Sequence, residues 1–467
     1  MSGGRYDLLV TGGTVVTSEA PRFVADIAIR DGRVVAFLEP GSGSGTDAEE
    51  VLSASGRIVM PGLIDTHVHP GVYRPMDEDL RALTAFGLRG GITSMVAIYR
   101  RPTPYAKQIP AAIDLFTAAS LVDFGLIIGI TTVDQINSLQ TAADMGIGAF
   151  KFYLGYRGSE SRFGGDFAFS DDRLAEIVDR VASLSGDPML AVHCENAELA
   201  RYFKEEALRS GKDGLALYDA ASDVASEVDA VARVTLLASR ANVRASILHV
   251  SAGTTAEFIA SAPWIRRERL TVETCPHYLA LDTDDAAVTR AVVRPPIRSA
   301  SEVERLWRQL EAGVIDTIGS DHCANDLEAK AAMSLWDCPL SFGESGLTLP
   351  VLLTEGHHRR GIPLEKIVAI TSANPAMAHR LYPRKGTIRV GSDGDLAIVD
   401  LEAERTLDRG FVQELKGRDD GSIYTGRRLR GWPVATVRAG RVVSDVRGLR
   451  PDQPPARFLP GSLHTSV

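Results

Sequence analysis

Between Leu63 and His322 the chain repeats one pattern: a short apolar run, then a longer stretch with helical spacing. The runs are Leu63–His69, Thr93–Tyr99, Gly125–Thr131, Ala149–Leu154, Met189–Glu195, Ala245–Ser251, Leu270–Tyr278 and Thr317–His322. Stretches such as Leu174–Leu184, Glu227–Arg240 and Glu302–Ala312 lie between them and carry apolar residues every three or four positions. Continuous apolar runs alternating with amphipathic helices read as parallel strands covered on both faces. Eight of them predict a (β/α)₈ TIM barrel.

The two ends read differently. Tyr6–Val10 and Thr14–Thr17 flank Gly12–Gly13, and Ile27–Arg30 and Arg33–Phe37 flank Asp31–Gly32, so each pair predicts a hairpin. Gly41–Gly45 is Gly/Ser-rich and predicts a flexible loop. Gly386–Val390, Leu396–Asp400 and Val434–Val443, the last with Ala439–Gly440 as its turn, alternate as strands do. The expectation is a β-sandwich built from residues 1–60 together with 384–467, with the barrel, 61–383, inserted into it. In 467 residues, 45% of them hydrophobic, there is material for so large a core.

A net charge of −9 argues against non-specific binding to nucleic acid or an anionic membrane. No run of about 18 apolar residues predicts a bilayer span. Met1 to Asp7 is short and polar, so no signal peptide is expected. Cys194, Cys275, Cys323 and Cys338 form no close pair and read as reduced thiols of a cytoplasmic protein. No base or orienting group can be named for a thiol nucleophile, so small packed residues are the expectation.

The histidines carry the chemistry. His67 and His69 stand two apart at the end of the first strand, a spacing that turns both to one side. His193 ends the fifth strand, His249 the sixth and Asp321 the eighth, while Lys151 lies in the fourth between Phe150 and Phe152. In a barrel these C-terminal strand ends share one rim. A single histidine is usually a satisfied core residue; four with an aspartate on one rim point to metal. Burial of Lys151 would lower its pKa and expose a neutral amine able to take up carbon dioxide as a carbamate. The alternative is a lysine that snorkels or pairs with a carboxylate, and residue type alone favours that alternative.

The motifs Pro-Gly-Leu-Ile-Asp-Thr-His-Val-His (61–69), Phe-Lys-Phe-Tyr-Leu-Gly-Tyr-Arg-Gly (150–158), Val-His-Cys-Glu-Asn (192–196) and Leu-His-Val-Ser (248–251) are followed by Glu-Thr-Cys-Pro-His-Tyr-Leu (273–279), Gly-Ser-Asp-His-Cys (319–323) and Leu-Tyr-Pro-Arg-Lys-Gly (381–386). In content and order the set resembles the cyclic amidohydrolases: hydantoinase and dihydropyrimidinase, allantoinase, and dihydroorotase. The resemblance runs from the first barrel strand to Val443. It implies that His67, His69 and Asp321 hold one divalent metal, that His193 and His249 hold a second, and that carboxylated Lys151 bridges them. Zinc is the metal it suggests. It also implies that water activated by the ions attacks a ring amide, that Asp321 carries the proton to the leaving nitrogen, and that Tyr156 steadies the oxyanion. The bland reading of Tyr156 is an aromatic packed on the rim. A homotetramer or homodimer is the assembly the resemblance suggests.

The resemblance is mixed around the substrate. Dihydroorotases carry an Arg two residues after the second His; here that position is Gly71, which disfavours a dihydroorotase. Arg294 stands where hydantoinases have a Ser before Pro-Pro, and Phe342 where they have an Asn. Phe-Gly-Glu-Ser-Gly (342–346) is more similar to allantoinases, and the Tyr156 segment to hydantoinases. Arg294 is therefore a candidate for pairing with a carbonyl-rich or anionic substituent; the plainer reading is a surface Arg or one paired with a neighbouring Glu. Arg74, Arg100 and Arg101 follow barrel strands and either line the mouth or are solvated. His277, placed in the seventh strand, and His322 are expected to hydrogen-bond behind the ligands. His357, His358, His379 and His464 are expected to be structural or exposed. The leading expectation is a hydantoinase- or dihydropyrimidinase-like ring-opening hydrolase, with allantoinase next. A single-metal deaminase and a non-catalytic relative are disfavoured by Lys151 and by the complete ligand set.

Overall fold

The computed structural model describes residues 6–42, 48–156, 170–285 and 290–461. The strands are β1 Tyr6–Val15, β2 Phe23–Arg30, β3 Arg33–Leu38, β4 Ala48–Ser53, β5 Ile58–Pro61, β6 Leu63–Val68, β7 Ile92–Tyr99, β8 Asp123–Gly129 and β9 Ala149–Tyr153. They continue with β10 Met189–His193, β11 Arg244–Ile247, β12 Leu270–Thr274, β13 Thr317–Ile318, β14 Leu396–Thr406, β15 Arg428–Arg438, β16 Arg441–Asp445 and β17 Gly448–Leu449.

Strands β6 to β13 form one parallel sheet in sequence order, each next to its successor. A parallel bridge from Val68 to His322 joins the last strand's end back to the first and closes the TIM barrel. Helices cover the outside by burying one stripe. In Asp171–Ser183 the stripe is Leu174, Ile177, Val178 and Val181; in Ala300–Glu311 it is Val303, Leu306, Trp307 and Leu310. Strand parity sorts the side chains. Phe150, Phe152, Leu190 and Val192 join the cluster that includes the helices, whereas Val96, Ile98, Ile127, Ala149, Met189, Ala191 and Leu248 form a separate one within the barrel. Lys151 shares parity with Ala149, and His193 with Met189 and Ala191, so the inward rows end at the C-terminal rim in polar groups.

The second sheet draws on both ends of the chain. Its order is β17-β16-β15-β14-β5-β1-β2-β3, with β4 beside β1. The join is β5 to β14, antiparallel, with Val59 opposite Ile398 and Pro61 opposite Leu396. Leu8, Val10, Ile27, Ile29, Val59, Ile398 and Val437 fill the core of this β-sandwich. Asp31 and Gly32, at φ 51° and 72°, make the expected tight turn between β2 and β3, and Ala439–Gly440 turns β15 into β16.

Three local expectations are corrected. Gly12–Gly13 is no turn: β1 runs through it, the register against β2 slips between Val10 and Gly13, and the Asp26 carboxylate accepts the Gly12 N–H at 2.8 Å. The pair of glycines therefore makes a bulge. Gly386–Val390 is not a strand, because the chain there turns to bury Lys385 between acids. The seventh run ends as a strand at Thr274, and Pro276–Ala280, with His277, is a single helical turn. Of Gly41–Gly45, residues 43–45 lie outside the described residues, as does His464.

A buried charge network ties barrel to sandwich. Asp123, at the base of β8, accepts from Lys385 Nζ at 2.8 Å, Arg438 Nη1 at 2.9 Å and Arg457 Nη2 at 2.7 Å. Lys385 also meets Asp395 at 2.5 Å and Asp393 at 3.1 Å, and Arg457 meets Asp393 at 2.8 Å. Arg384 also meets Asp393 at 3.2 Å, so three acids face four bases, and the Asp123 and Lys385 side chains are shielded from solvent. Burial opposes ionisation of Asp123, but Lys385 and Arg457 hold it well below the usual carboxylate range. Removing one member of such a network leaves buried charge uncompensated. Asp123→Ala is expected to cost about 3–5 kcal/mol, read from urea denaturation. Because its folded pKa is depressed, the stability Asp123 contributes is complete above the unfolded aspartate value and drains away below about pH 4. The wild type should therefore lose more stability than the variant between about pH 5 and 2.

Candidate active site and metal centre

The C-terminal ends of the barrel strands open into a cavity of about 770 Å³. Its floor holds His69, Lys151, His193, His249 and Asp321; its walls include Tyr73, Met76, Arg100, Tyr153, Tyr156, Tyr218, Arg294 and Trp336. The predicted ligands come together here from five strands.

His67 Nε2 lies 3.1 Å from His69 Nε2, and Asp321 Oδ1 is 3.2 Å from each. On the other side His193 Nδ1 and His249 Nε2 approach to 3.0 Å. The two pairs are adjacent, with the His67 and His249 rings stacked at 5.3 Å between centroids. Nitrogens this close need either a shared proton or a shared cation.

The outer nitrogens decide which. His67 Nδ1 is 2.7 Å from Glu273 Oε1, so its N–H points away from the cavity and Nε2 presents a lone pair. His193 Nε2 is 2.7 Å from Glu195 Oε2, which leaves the Nδ1 lone pair facing His249. Burial lowers His69 to about 3 and His249 well below its ordinary value, so both rings are neutral. Burial works against ionising Asp321, yet His67 and His69 keep it well below the carboxylate range. Neutral imidazoles and a carboxylate aimed at common points are the donor set of a divalent-metal site, and these residues fit one.

Lys151 is 1% exposed. Burial pulls its ammonium down to about 7, although Asp321 and Glu273 oppose the shift. Its Nζ stands 4.9 Å from the Tyr153 ring centroid. A substantial neutral fraction at physiological pH follows.

Two of the predicted ligands sit on unfavourable backbone: His249 at φ 40° and Asp321 at φ 51°. Such left-handed conformations cost on the order of 1 kcal/mol or more for non-glycine residues and persist where surrounding contacts hold them. At Asp321 the contacts are those of barrel closure: Ser320 N donates to Asp65 Oδ1 at 3.0 Å and His69 N to His322 O at 2.7 Å.

Tyr156 stands over His193, ring centroids 5.1 Å apart, and burial pushes its phenol up, so it stays a donor. The chain reaches this place through Gly155, where a Cβ would fall 2.6 Å from His193 Nε2. Arg294 lines the cavity and is also paired: its Nε is 2.9 Å from Glu195 Oε2. Arg74 makes a two-point pair with Asp420, away from the rim chemistry. Arg100 lines the cavity and donates to the Tyr153 hydroxyl at 2.8 Å; Arg101 lines it as well.

Sequence reasoning missed Glu195 and Glu273. Glu195 follows His193 at the same two-residue spacing that singled out His67 and His69, and Glu273 is a carboxylate at a strand's C-terminal end, so both signals were available. His277 does not back a ligand: its Nε2 has no partner among the described residues, and its ring packs edge-on against Phe342 at 4.8 Å. His322 Nδ1 accepts from Ser345 N at 3.3 Å instead of from a ligand. All four cysteines are free and buried, and burial raises the thiols of Cys194, Cys275 and Cys323, which suits packing residues and not nucleophiles. Among the described residues no helix is long and apolar enough to cross a membrane.

Comparison with known proteins agrees with this geometry. The allantoinase of Rubrobacter xylanophilus is 35% identical over 457 residues, covering 94% of each chain. The L-hydantoinase of Paenarthrobacter aurescens is 30% identical over 459 residues, covering 94% of this chain and 95% of that one. Among solved structures, the L-hydantoinase (dihydropyrimidinase) of Arthrobacter aurescens superposes with a TM-score of 0.86 at 29% identity, covering 97% of this chain and 99% of that one. The family model for the amidohydrolases matches residues 58–443, which take in the last strand of the N-terminal piece, the whole barrel and the returning strands. The chain belongs to the amidohydrolase family.

Proposed function

We propose that the protein is a binuclear metal hydrolase that opens a cyclic amide ring, of the hydantoinase or dihydropyrimidinase kind. The observation that carries this reading is the pair of converging lone-pair sets, His67/His69/Asp321 and His193/His249, with a depressed-pKa lysine on the same floor. The first set would hold one ion and the second the other, with carboxylated Lys151 as the anionic bridge. Imidazole and carboxylate donors suit zinc. Two such ions, when bound, would supply Lewis acidity: an acidified water near neutral pH and polarisation of a carbonyl.

The chain's own groups do the rest. Asp321 accepts the proton of the attacking water and returns it to the ring nitrogen as the C–N bond breaks. The Tyr156 hydroxyl donates to the oxygen that gains negative charge. Glu273 and Glu195 hold His67 and His193 in one tautomer and orientation, so no reorganisation is needed during turnover. Arg294 and Tyr156 form the wall against which the ring and its substituent rest. Residues 61–383 would act as the catalytic unit and residues 1–60 with 384–467 as its support.

Allantoinase is the second reading, and the 35% identity to an allantoinase over nearly the whole chain favours keeping it. A cytoplasmic location is supported by four unpaired, buried cysteines. The relationship to hydantoinases supports a homodimer or homotetramer.

Turnover of hydantoin, 5-substituted hydantoins, dihydrouracil, allantoin, dihydroorotate and succinimide, with zinc and bicarbonate present, tests the reading directly. Ring opening of hydantoin or dihydrouracil is expected; preference for allantoin would promote the second reading, and no turnover of any ring amide by protein holding two metals would sink the substrate class. Chelation should abolish activity, and zinc with bicarbonate should restore it more fully than zinc alone. Tyr156→Phe is expected to lower kcat by about 10²–10³, the effect of removing one oxyanion donor. An unchanged kcat would return Tyr156 to the role of a packing aromatic.

A further inference from the structure

Arg294 does something that its position in the cavity wall does not require. Its side chain is 13% exposed and is anchored by several contacts. Nε lies 2.9 Å from Glu195 Oε2, Nη2 donates to the Gly155 carbonyl, and the guanidinium carbon is 4.8 Å from the centre of the Tyr156 ring. The oxygen it meets on Glu195 is the same one that holds His193 Nε2 at 2.7 Å. The other Glu195 oxygen accepts from Ser222 at 2.5 Å. One planar cation therefore touches the carboxylate behind His193 and the backbone and ring of the segment that carries Tyr156.

The geometry of that segment gives the contact its consequence. Gly155 lies directly on the His193 ring, with no room for a side chain, so any sliding of residues 155–156 bears on the imidazole. A guanidinium can make a hydrogen bond to a carboxylate, a second to a carbonyl and a face contact to an aromatic ring at once, because its donors lie in one fixed plane. A lysine would satisfy the charge but not all three directions. Loss of the cation would leave Glu195, which has no solvent exposure, holding its charge against His193 and Ser222 among the described residues.

We infer that Arg294 is a positioning residue that locks His193, through Glu195, to the Gly155–Tyr156 segment, so that the second metal's ligand and the oxyanion donor keep one mutual placement. The inference rests on the ring-opening reading for the role of Tyr156, but not for its first test, which requires only bound metal.

Wild type, Arg294→Met and Arg294→Lys, each loaded with zinc, are challenged with a chelator while metal release is followed, and kcat and KM are measured on the best substrate. Arg294→Met should release one ion about tenfold faster and lose about 10–100-fold in kcat whatever happens to KM, with a lowered thermal midpoint and the assays run well below it. Arg294→Lys should recover part of both losses and keeps the test alive if the Met variant fails to fold. Adding Glu195→Gln to Arg294→Met should cost less than the sum of the two single changes. A rise in KM with metal release and kcat unchanged would overturn the inference and make Arg294 a substrate contact only; no change in any readout would also overturn it. Faster release in a chain that opens no ring amide would keep the link to His193 and overturn the proposed function instead.

Discussion

The contact on which the site depends is the closure of the barrel between its first and last strands. Only two residues of β13 are regular strand, and the ring is completed by the Val68–His322 bridge, the hydrogen bond from His69 N to His322 O and that from Ser320 N to Asp65. Through these, Asp321 arrives 3.2 Å from two histidines that precede it by some 250 residues in the sequence. The left-handed backbone of Asp321 is held in place by the same contacts. A looser closure would leave five good donors with no common point to face.

Carboxylates behind two of the rim histidines fix the direction in which they face that common point. Glu273 takes the His67 N–H and also accepts from Thr66 at 2.7 Å, so its own orientation is fixed on both oxygens. Glu195 is fixed likewise by Ser222 and Arg294. An imidazole whose outer N–H is committed has one lone pair and one direction for it, and in each pair one such ring, His67 or His193, faces a second histidine across the floor. Burial, which lowers the pKa values of His69, His193, His249 and Lys151, removes competing protons from those groups.

Support from below comes from the sandwich. The Asp123–Lys385–Arg438–Arg457 network joins the base of a barrel strand to residues from the returning strands and the C-terminal segment. It lies at the N-terminal end of β8, away from the cavity, where barrels concentrate stability and not catalysis. The charges there are compensated within the network, whereas the rim donors converge on the cavity.

The sequence alone determined the alternation of strands and helices, the rim positions of His67, His69, Lys151, His193, His249 and Asp321, and the pairing of both chain ends in one β-rich unit. These are properties of periodicity: an apolar run bounded by helices must be a buried parallel strand, and its C-terminal end must lie on the common rim. Only the tertiary structure decided what each group meets. Gly12–Gly13 became a bulge because β2 supplied a carboxylate to an N–H that a turn would have left to solvent. His277 went to Phe342 and not to a ligand because Pro276 ended its strand. Arg294 could be read as a substrate contact or as the partner of a glutamate, and it met Glu195, 99 positions away in the chain. Local spacing tells which face a side chain takes. Which group stands opposite it depends on long-range packing, which no short stretch of sequence contains.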